Sequence, residues 1–313
     1  MKLLILTSEF PPGPGGIGTH AFQLAQHLSD VGVTVRVIAS QDYASPSEIK
    51  YFNENLPFTV IKPEKGPLRF IRGLSRANRL RDEVQHFQPD LVLATGTRSV
   101  WITAAVLSIF QKPWCAVGHG TEFGSLYGLN ALLTRLAFDR ASGIICVSEY
   151  TRKQMRKLGI TRQKSHVIYN GADDKQFFPL KPNELTKVLQ DTRAEGKFIL
   201  LTVGSLSDRK GQEVVIRALP AILQKVPNVE YWMAGMPFKK VEFEELAKSL
   251  GVEKHIRIWG RVDNNQLNDL YNASDLFVMT SRRMQDGDFE GYGIAVMEAG
   301  LCGIPAVVSN SSG

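Results

Sequence analysis

Short apolar runs alternate with helix-periodic stretches along almost the whole chain, and this alternation is the feature that most restricts its fold. Strands that alternate with helices form parallel sheets with helices on both faces. The helical stretches carry apolar residues at a helical period, as at Phe22, Leu24, Ala25 and Leu28. The predicted strands are KLLILT, VTVRVIA, FTVIK, DLVLAT, WCAVGH, GIICVS and HVIYN, followed by FILLTVG, VEYWMAG, IRIWG, LFVMT and PAVVS.

One charged, proline-containing stretch, FFPLKPNELTKVLQDTRAEGK, interrupts the alternation. At 313 residues the chain is also long for a single hydrophobic core. We therefore predict two Rossmann-like, doubly wound α/β domains, at 1–176 and 197–313, joined by a linker at 177–196. In such an arrangement the cleft between the domains is the expected ligand site.

Composition excludes several classes of protein. The longest apolar run, VWITAAVLSIF, is too short to cross a bilayer, and the start MKLLIL lacks the features of a secretory signal, which predicts a cytoplasmic protein. The three cysteines, Cys115, Cys146 and Cys302, are odd in number and widely spaced within apolar runs. They are expected to be reduced thiols, and no zinc site is predicted.

The net charge of +6 is unevenly distributed. Residues 1–180 carry 21 Lys and Arg against 14 Asp and Glu, so the whole excess lies in the first half of the chain. Zinc-finger spacing, aromatic-basic sheet motifs and basic tails are missing from the sequence, so a nucleic-acid partner is not predicted. An anionic substrate or an anionic membrane surface remains as the expected partner.

Gly13, Gly15 and Gly18 spell G-x-G-x-x-G between the first strand and a helical pattern. A dinucleotide fingerprint needs a tight turn after the strand and an acidic residue about 20 positions later. Here SEFPP separates strand and glycines, and the second strand ends at Ala39 and Ser40 without a carboxylate. The glycines are better explained as a loop whose backbone N–H groups approach an anion at a helix start.

Two motifs in the second half point to a charged, hydroxyl-rich ligand. Glu290 and Glu298 lie eight residues apart around the start of a predicted helix, so they can reach separate hydroxyl groups of one ligand. In VGSLSDRKGQE, Arg209 and Lys210 stand where a strand turns into a helix. Positive side chains oppose the helix dipole there unless an anion such as a diphosphate is bound.

Together these motifs resemble those of the retaining glycosyltransferases of the large group 1 family, which are similar to glycosyltransferase family 4 and have the two-Rossmann GT-B fold. The similarity runs from Met1 to Gly313 and rests on FPPGPGGIGTHAFQLAQHL, GHGTEF, VSEYTRKQM, VIYNGADDKQFFP, VGSLSDRKG and FEGYGIAVMEAGLCGIPAVVS. The resemblance implies a nucleotide-diphosphate sugar as donor substrate and transfer with retained anomeric configuration. A glycan or lipid-linked acceptor, in cell-envelope or polysaccharide synthesis, would suit it.

The resemblance also implies roles for particular residues. His119 would lie beside the transferred sugar, Glu290 would bind its hydroxyls, and Lys210 would hold the diphosphate; these three are the expected catalytic residues. The expected donor-binding residues are Gly15, Gly16, Arg209, Lys210, Glu290, Gly291, Tyr292, Gly293 and Glu298. Neither a cofactor nor an essential metal is expected.

The sequence departs from the family pattern at two places. Ser205 follows Gly204 where the family usually has Arg, and Arg209 is the residue expected to supply the missing charge. The sequence ends in SNSSG, directly after a strand, where the family continues through further helices. An incomplete second domain is therefore expected.

Other polar residues near these motifs have a second interpretation. His119 follows a predicted strand, where a histidine can serve a structural role as well as bind a sugar. Glu122 is expected to orient a ligand hydroxyl. Asp286 and Asp288 form a D-x-D in a loop, and we interpret it as a solvated loop rather than a metal site.

Arginines recur at three- and four-residue steps in PLRFIRGLSRANRLRDEVQHF. Arg69, Arg72, Arg76 and Arg79 would lie along one stripe of a helix, which is either a solvated face or a surface for anionic lipid on the inner face of a membrane. A second basic run, Arg152 to Lys164, could extend it. The apolar face of the same helix is predicted to contain Phe70, Leu74, Ala77, Val84 and Phe87.

Two alternatives to a glycosyltransferase remain open at this point. The G-x-G-x-x-G loop would suit an NAD-dependent oxidoreductase. Ser205 and the early end of the sequence would suit an epimerase of the GT-B fold, or a protein that binds nucleotide sugars without turning them over.

Overall fold

The computed structural model describes residues 1–13, 15–42, 44–64, 69–124, 127–161 and 165–310. The chain divides into two units. The first comprises Met1–Tyr169 together with Asp286–Gly291, and the second comprises Asn170–Gln285 together with Tyr292–Gly313.

The first unit is built on a seven-stranded sheet in which every pairing is parallel. All seven predicted strands are present: β1 (Lys2–Thr7), β2 (Thr34–Ala39), β3 (Thr59–Ile61), β4 (Leu91–Thr95), β5 (Trp114–Gly118), β6 (Gly143–Cys146) and β7 (Ser165–Val167). Their order across the sheet is β3-β2-β1-β4-β5-β6-β7. Strand β1 is central and buried along all but its first residue, because helices cover both faces of a parallel sheet.

Six helices of the first unit are described: α1 (Gly16–Asp30), α2 (Pro46–Glu54), α3 (Arg69–His86), α4 (Thr97–Phe110), α5 (Gly128–Phe138) and α6 (Glu149–Lys157). Helices α3 to α6 contribute to one core, which includes Leu80, Ala104, Phe138 and Met155. Ser148 caps α6 by accepting the backbone N–H of Thr151 at 3.0 Å.

The second unit has a five-stranded parallel sheet with two cores, one on each face. Its strands are β8 (Phe198–Val203), β9 (Val229–Ala234), β10 (Ile256–Gly260), β11 (Leu276–Met279) and β12 (Ala306–Val308), all five predicted. They lie in the order β10-β9-β8-β11-β12. The described helices are α7 (Pro182–Thr192), α8 (Gln212–Leu223), α9 (Lys240–Ser249), α10 (Asn264–Asn272) and α11 (Ile294–Leu301). The predicted fold class, two doubly wound α/β sheets, is confirmed.

The structure differs from the predicted domain boundaries. The segment 177–196, expected to be a linker, contains helix α7, and the first unit ends at Tyr169 rather than at residue 176. Phe177 and Ala194 are buried in a core of the second unit, and Val188 packs against that core. Prolines at the N-terminal end of α7 and charged residues at both ends concealed an amphipathic helix, whose apolar side packs on the second unit.

The strand order determines which loops can bind a ligand. In a doubly wound sheet, ligands bind at the carboxyl ends of the strands where the order reverses. The first sheet reverses between β1 and β4, and the second between β8 and β11. The loops that follow these strands carry the glycine loop and the Arg209–Lys210 motif.

The expected state of the cysteines agrees with the structure, since all three are free thiols and Cys146 and Cys302 are buried. Among the described residues, the helices are too short or too polar to cross a membrane.

Candidate active site

The loop after β1 brings the glycine motif against Glu9 and Phe10. A side chain at Gly18 would lie 3.0 Å from the backbone nitrogen of Phe10, so glycine allows α1 to pack closely on the loop. Gly15 has a φ of +142°, and the Glu9 carboxylate fills the space that a side chain at Gly15 would need. At Gly16, the first residue of α1, a Cβ would have no neighbour within 4 Å. The first turn of α1 is therefore accessible to an anion on this side.

His119 directly follows β5, as predicted, and its imidazole contacts two residues that the sequence did not single out. Its Nε2 lies 2.6 Å from the Thr95 hydroxyl at the end of β4. Its ring meets that of His20 edge-on, with centroids 4.9 Å apart. Burial, followed by the charge of His20, lowers the pKa of His119 well below its ordinary value, and burial lowers the pKa of His20 to about 4. Both rings are therefore neutral at pH 7.

Glu122 fixes the loop that carries His119. Its Oε2 accepts the backbone N–H groups of His119 and Gly120, both at 2.9 Å. The side chain is buried, and Oε1 has no hydrogen-bond partner among the described residues. Burial raises the pKa of Glu122 to about 7, and its backbone hydrogen bonds partly offset this. One carboxylate oxygen thus holds the loop, and the other is buried without a hydrogen-bond partner among the described residues.

The pH dependence of stability gives a test of this carboxyl. Because the pKa of Glu122 is higher in the folded state than its ordinary 4.5, its contribution to the free energy of unfolding is complete below pH 4.5. That contribution is lost as the pH rises through 7. We expect Glu122→Gln to gain stability relative to wild type between pH 5 and pH 8, by about 3 kcal/mol at most. Denaturant melts at both pH values measure the difference.

The control for this prediction is Glu54→Gln, at an exposed carboxylate on α2. Lowered histidine pKa values act with the opposite sign, but wild type and both variants retain the histidines, so their contribution cancels to first order. Parallel pH profiles for wild type and Glu122→Gln would contradict the assigned burial effect.

Glu290 lies in a short stretch of backbone that is fixed on both sides. Phe289 is buried and its ring meets that of Tyr150 edge-on, with centroids 5.0 Å apart. After Glu290, the carbonyl of Gly291 accepts a hydrogen bond from the Ser148 hydroxyl at 2.7 Å. These contacts explain why Asp286–Gly291 belongs to the first unit.

Gly291 and His119 lie side by side. A Cβ at Gly291 would overlap the carbonyl oxygen of His119, and one at Gly120 would lie 3.1 Å from the Gly291 Cα. Only glycine permits this approach, which brings together the predicted His119 and the segment that carries Glu290.

The D-x-D sequence is less solvated than expected. Asp286 is exposed and accepts the backbone N–H of Asp288 at 3.0 Å, but Gly287 is buried. A side chain at Gly287 would overlap the backbone of Gly124. The backbone packing of the central glycine therefore corrects the expectation of a freely solvated loop. Within the described ranges, no group of three or more His, Cys, Asp or Glu side chains is placed to hold a metal ion.

In the second unit, Arg209 and Lys210 lie in a 3-10 turn, Asp208–Lys210, directly before α8. Gly204, at the end of β8, has a φ of +140°. The Lys210 side chain lies over it, with Nζ 3.2 Å from the position that a Cβ would occupy. Glycine at 204 thus leaves room for the lysine to extend across the end of the strand.

Glu298 is the carboxylate that the second unit places near Lys210. It lies on α11, which begins at Ile294 after the N-cap Gly293, and its Oε2 accepts the Tyr271 hydroxyl at 2.6 Å. Burial raises the pKa of Glu298, and the hydrogen bond from Tyr271 and the charge of Lys210 oppose that rise. Tyr271, on α10, carried no motif that would have identified it.

The loop after β8, which has Ser205 where the family usually has Arg, is contacted by two other cations, Lys239 and Arg282. Asp208 pairs with Lys239 at 2.5 Å, and the Arg282 Nε donates to the backbone carbonyl of Asp208 at 2.9 Å. Arg282 also pairs with Glu213 at 2.9 Å. Lys239 lies in the loop after β9 and Arg282 in the loop after β11. Both are far from Asp208 in the sequence, so no sequence motif predicted that they contact it.

The arginine stripe on α3 is not uniform. The guanidinium of Arg76 donates to the Ser40 hydroxyl at 2.7 Å, and burial lowers its pKa. Arg72 is exposed and Arg79 half-buried, whereas the side chain of Arg69 lies outside the described residues. One of the four predicted surface charges is thus directed inward.

The apolar face of α3 also differs from its prediction. Val84 and Phe87 are buried as expected, but Leu74 is 48% exposed, because α3 contacts the sheet mainly through its C-terminal half. Of the second basic run, Arg162 and Lys164 lie outside the described residues.

Comparisons with known proteins cover nearly the whole chain. The family Glycosyltransferase Family 4 matches residues 14–176, and Glycosyl transferases group 1 matches residues 186–313. The phosphatidylinositol N-acetylglucosaminyltransferase GPI3 subunit of Saccharomyces cerevisiae is 24% identical to this chain. The aligned region covers 100% of this chain and 68% of the yeast protein. A GDP-mannose-dependent monoacylated alpha-(1-6)-phosphatidylinositol monomannoside mannosyltransferase of Corynebacterium glutamicum is 23% identical, covering 100% and 81%.

Among solved structures, Anabaena HepE in complex with UDP and glucose matches with a TM-score of 0.81 and 23% identity, over 100% of this chain and 82% of that one. WaaG, a glycosyltransferase involved in lipopolysaccharide biosynthesis, matches with a TM-score of 0.74 and 19% identity, over 99% and 82%. These likenesses identify the GT-B fold. Since one family model covers just over half of the chain and a second covers most of the rest, the protein belongs to the group 1, family 4-like glycosyltransferases, which are nucleotide-sugar-dependent enzymes, and not to the oxidoreductases.

Proposed function

We propose that this enzyme moves a sugar from a nucleoside diphosphate to an acceptor hydroxyl with retention of anomeric configuration and without an essential metal. The observation that carries the proposal is the position of Lys210. Its ammonium group extends over Gly204, directly before the N-terminus of α8 and near Glu298. A cation next to a helix start is a favourable site for a diphosphate, and the neighbouring carboxylate can accept hydrogen bonds from a ribose.

We propose the other predicted site residues as further donor contacts. Arg209 would join Lys210 on the diphosphate. Gly16, at the open start of α1, and its N-cap Gly15, beside which the Glu9 carboxylate lies, would offer backbone N–H groups. Glu290 and His119 would bind the hydroxyls of the transferred sugar. A neutral His119 can donate or accept a hydrogen bond there without adding charge. Backbone N–H groups of Gly291, Tyr292 and Gly293 complete the proposed set.

The reaction is departure of the leaving group assisted by positive charge. The bond between the anomeric carbon and the diphosphate oxygen breaks as Lys210, Arg209 and the helix start stabilise the negative charge on the nucleoside diphosphate. The acceptor oxygen attacks the same face of the sugar, and its proton passes to the departing phosphate oxygen. No protein nucleophile is needed in this course.

Product stereochemistry tests the proposed course. NMR of the product formed from a donor of known anomeric configuration is expected to show that configuration retained. An inverted product would refute the same-face attack. A thermal-shift screen of nucleotide sugars identifies the donor first, because a ligand that binds the folded state raises its melting temperature.

For the acceptor, we propose a lipid-linked glycan or lipid, in cell-envelope or polysaccharide synthesis. Two of the similar proteins are named for phosphatidylinositol-based acceptors and a third for lipopolysaccharide. The excess of positive charge in residues 1–180 also suits a peripheral enzyme that works at an anionic membrane surface. Turnover of the donor with a water-soluble glycan but not with a lipid-linked one would argue against this acceptor class.

A further inference from the structure

Helix α5 exposes a row of large apolar side chains on its outer face. The exposed fractions of Leu129, Leu132, Leu133 and Leu136 are 69%, 52%, 39% and 45%. These positions follow the i, i+3, i+4, i+7 spacing, so they form one continuous stripe. Tyr127, directly before the helix, is 86% exposed. We call these five residues the α5 leucine face.

The inner side of α5 packs in the hydrophobic core of the first unit. Ala131, Ala137 and Phe138 are buried in the first unit, and Thr134 accepts the indole N–H of Trp101 at 3.1 Å. The outer leucines are therefore not used to hold the fold. A surface helix is normally polar on the side away from the core, and a contiguous apolar patch on a surface marks an interaction site.

The leucine face lies in basic surroundings. Helices α4, α5 and α6, together with Asp139 at the C-cap of α5, contain two carboxylates against six cations, which are Arg98, Arg135, Arg152, Lys153, Arg156 and Lys157. Asp139 pairs with Arg135 at 3.9 Å and Glu149 with Arg152 at 2.7 Å, so the excess of positive charge comes mainly from α6. Arg135 is on α5 itself, and its guanidinium lies within 3.3 Å of the position that a side chain at Gly159 would take, which places the end of α6 next to α5. Lys153, Arg156 and Lys157 are exposed.

We propose that the α5 leucine face docks on an anionic lipid surface, with the leucines at the acyl boundary and the cations of α5 and α6 at the headgroups. An amphipathic helix binds a membrane interface through this combination of apolar area and positive charge. The functional reason for this docking rests on the proposed function, in which the acceptor is a lipid. The surface itself is identified from the exposure of its leucines and from the charges beside them.

A second copy of the chain fits this surface less well. In a symmetric contact the same patch meets itself, so two leucine faces in contact would also bring the cations of both α5 and α6 helices together. Like charges at an interface are unfavourable, whereas anionic lipid complements both the apolar and the basic parts. The chemistry therefore favours lipid over self-association.

Vesicle sedimentation tests the proposal with the full chain. Wild type is expected to sediment with phosphatidylcholine vesicles that contain phosphatidylglycerol and to stay in solution with phosphatidylcholine alone. The triple variant Leu132→Gln, Leu133→Gln, Leu136→Gln is expected to lose about tenfold or more in partitioning, because it removes most of the inserted apolar area. A matched triple, Val31→Gln, Tyr51→Gln, Val241→Gln, changes equally exposed apolar residues elsewhere and is expected to bind like wild type.

Two further arms distinguish the other outcomes. If Arg72→Gln with Arg79→Gln abolishes binding while the α5 triple variant binds normally, α3 is the docking element and the proposal is wrong. Sedimentation velocity without lipid that shows a wild-type dimer, lost in the α5 triple variant, would overturn it in favour of self-association. Thermal shift with the donor on the same preparations reports the proposed function separately, since the leucine face is not in the donor site.

Discussion

Replacement of Glu290 by Gln is expected to lower turnover by about a hundredfold or more while the fold stays intact. Gln has nearly the same size, but it lacks the negative charge that strengthens hydrogen bonds from sugar hydroxyls. The backbone on both sides is held by Phe289 and by the bond from Ser148 to Gly291, so the substitution changes the side chain without releasing the segment. Initial rates at saturating donor measure the effect.

The matched control is Asp286→Asn, which removes a charge from an exposed position in the same segment. It is expected to retain turnover within a few-fold of wild type. If Glu290→Gln transfers sugar at the wild-type rate, Glu290 does not bind the donor sugar in the transition state. Equal melting temperatures for the three proteins exclude unfolding as the cause of any loss.

Lys210→Ala is expected to weaken nucleoside diphosphate binding by roughly tenfold to a hundredfold and to leave binding of the free nucleoside almost unchanged. The reason is that, under the proposed function, the ammonium group of Lys210 would contact the diphosphate, which the free nucleoside lacks. The loss of Lys210 also removes a positive charge that opposes the raised pKa of Glu298. Calorimetry with the nucleoside and the nucleoside diphosphate of the identified donor measures both affinities.

Lys248→Ala serves as the control, because it removes an exposed lysine from α9 of the same unit. Its affinities are expected to match those of wild type. Equal losses of nucleoside and nucleoside diphosphate binding in Lys210→Ala would exclude a specific contact with the diphosphate. Such a result would point instead to collapse of the loop over Gly204.

The sequence predicted the strands well and the segment between the units poorly. Buried parallel strands are short, continuous apolar runs, so all twelve stood out against the polar helices and loops. Helix α7 was missed because both of its ends are charged and prolines lie at its N-terminal end, although Val188 and Leu189 pack against the core. Periodicity is weak evidence in an eleven-residue helix with polar ends.

Some residues of the candidate site could be predicted from the sequence, and others could not. Motif residues such as His119, Lys210 and Glu298 could be named because each lies close to a strand end or a helix start in a recognisable local pattern. Thr95, His20 and Tyr271 could not, because each meets its partner only through the folded sheet or through helix packing. Arg76 shows the converse, since a regular stripe of arginines did not reveal that Ser40 directs one of them inward.

The sequence by itself determined the parallel α/β architecture and the loops that carry the motifs, because these depend on local hydrophobic period and on short spacings. The glycosyltransferase family followed from the resemblance of those motifs to known ones. Only the tertiary structure decided that the Glu122 carboxyl holds the loop of His119, that Gly291 lies against that loop, and that the leucines of α5 face outward. Burial, close approach and exposure are set by elements far apart in the chain, and no local pattern records which face of a helix its neighbours leave uncovered.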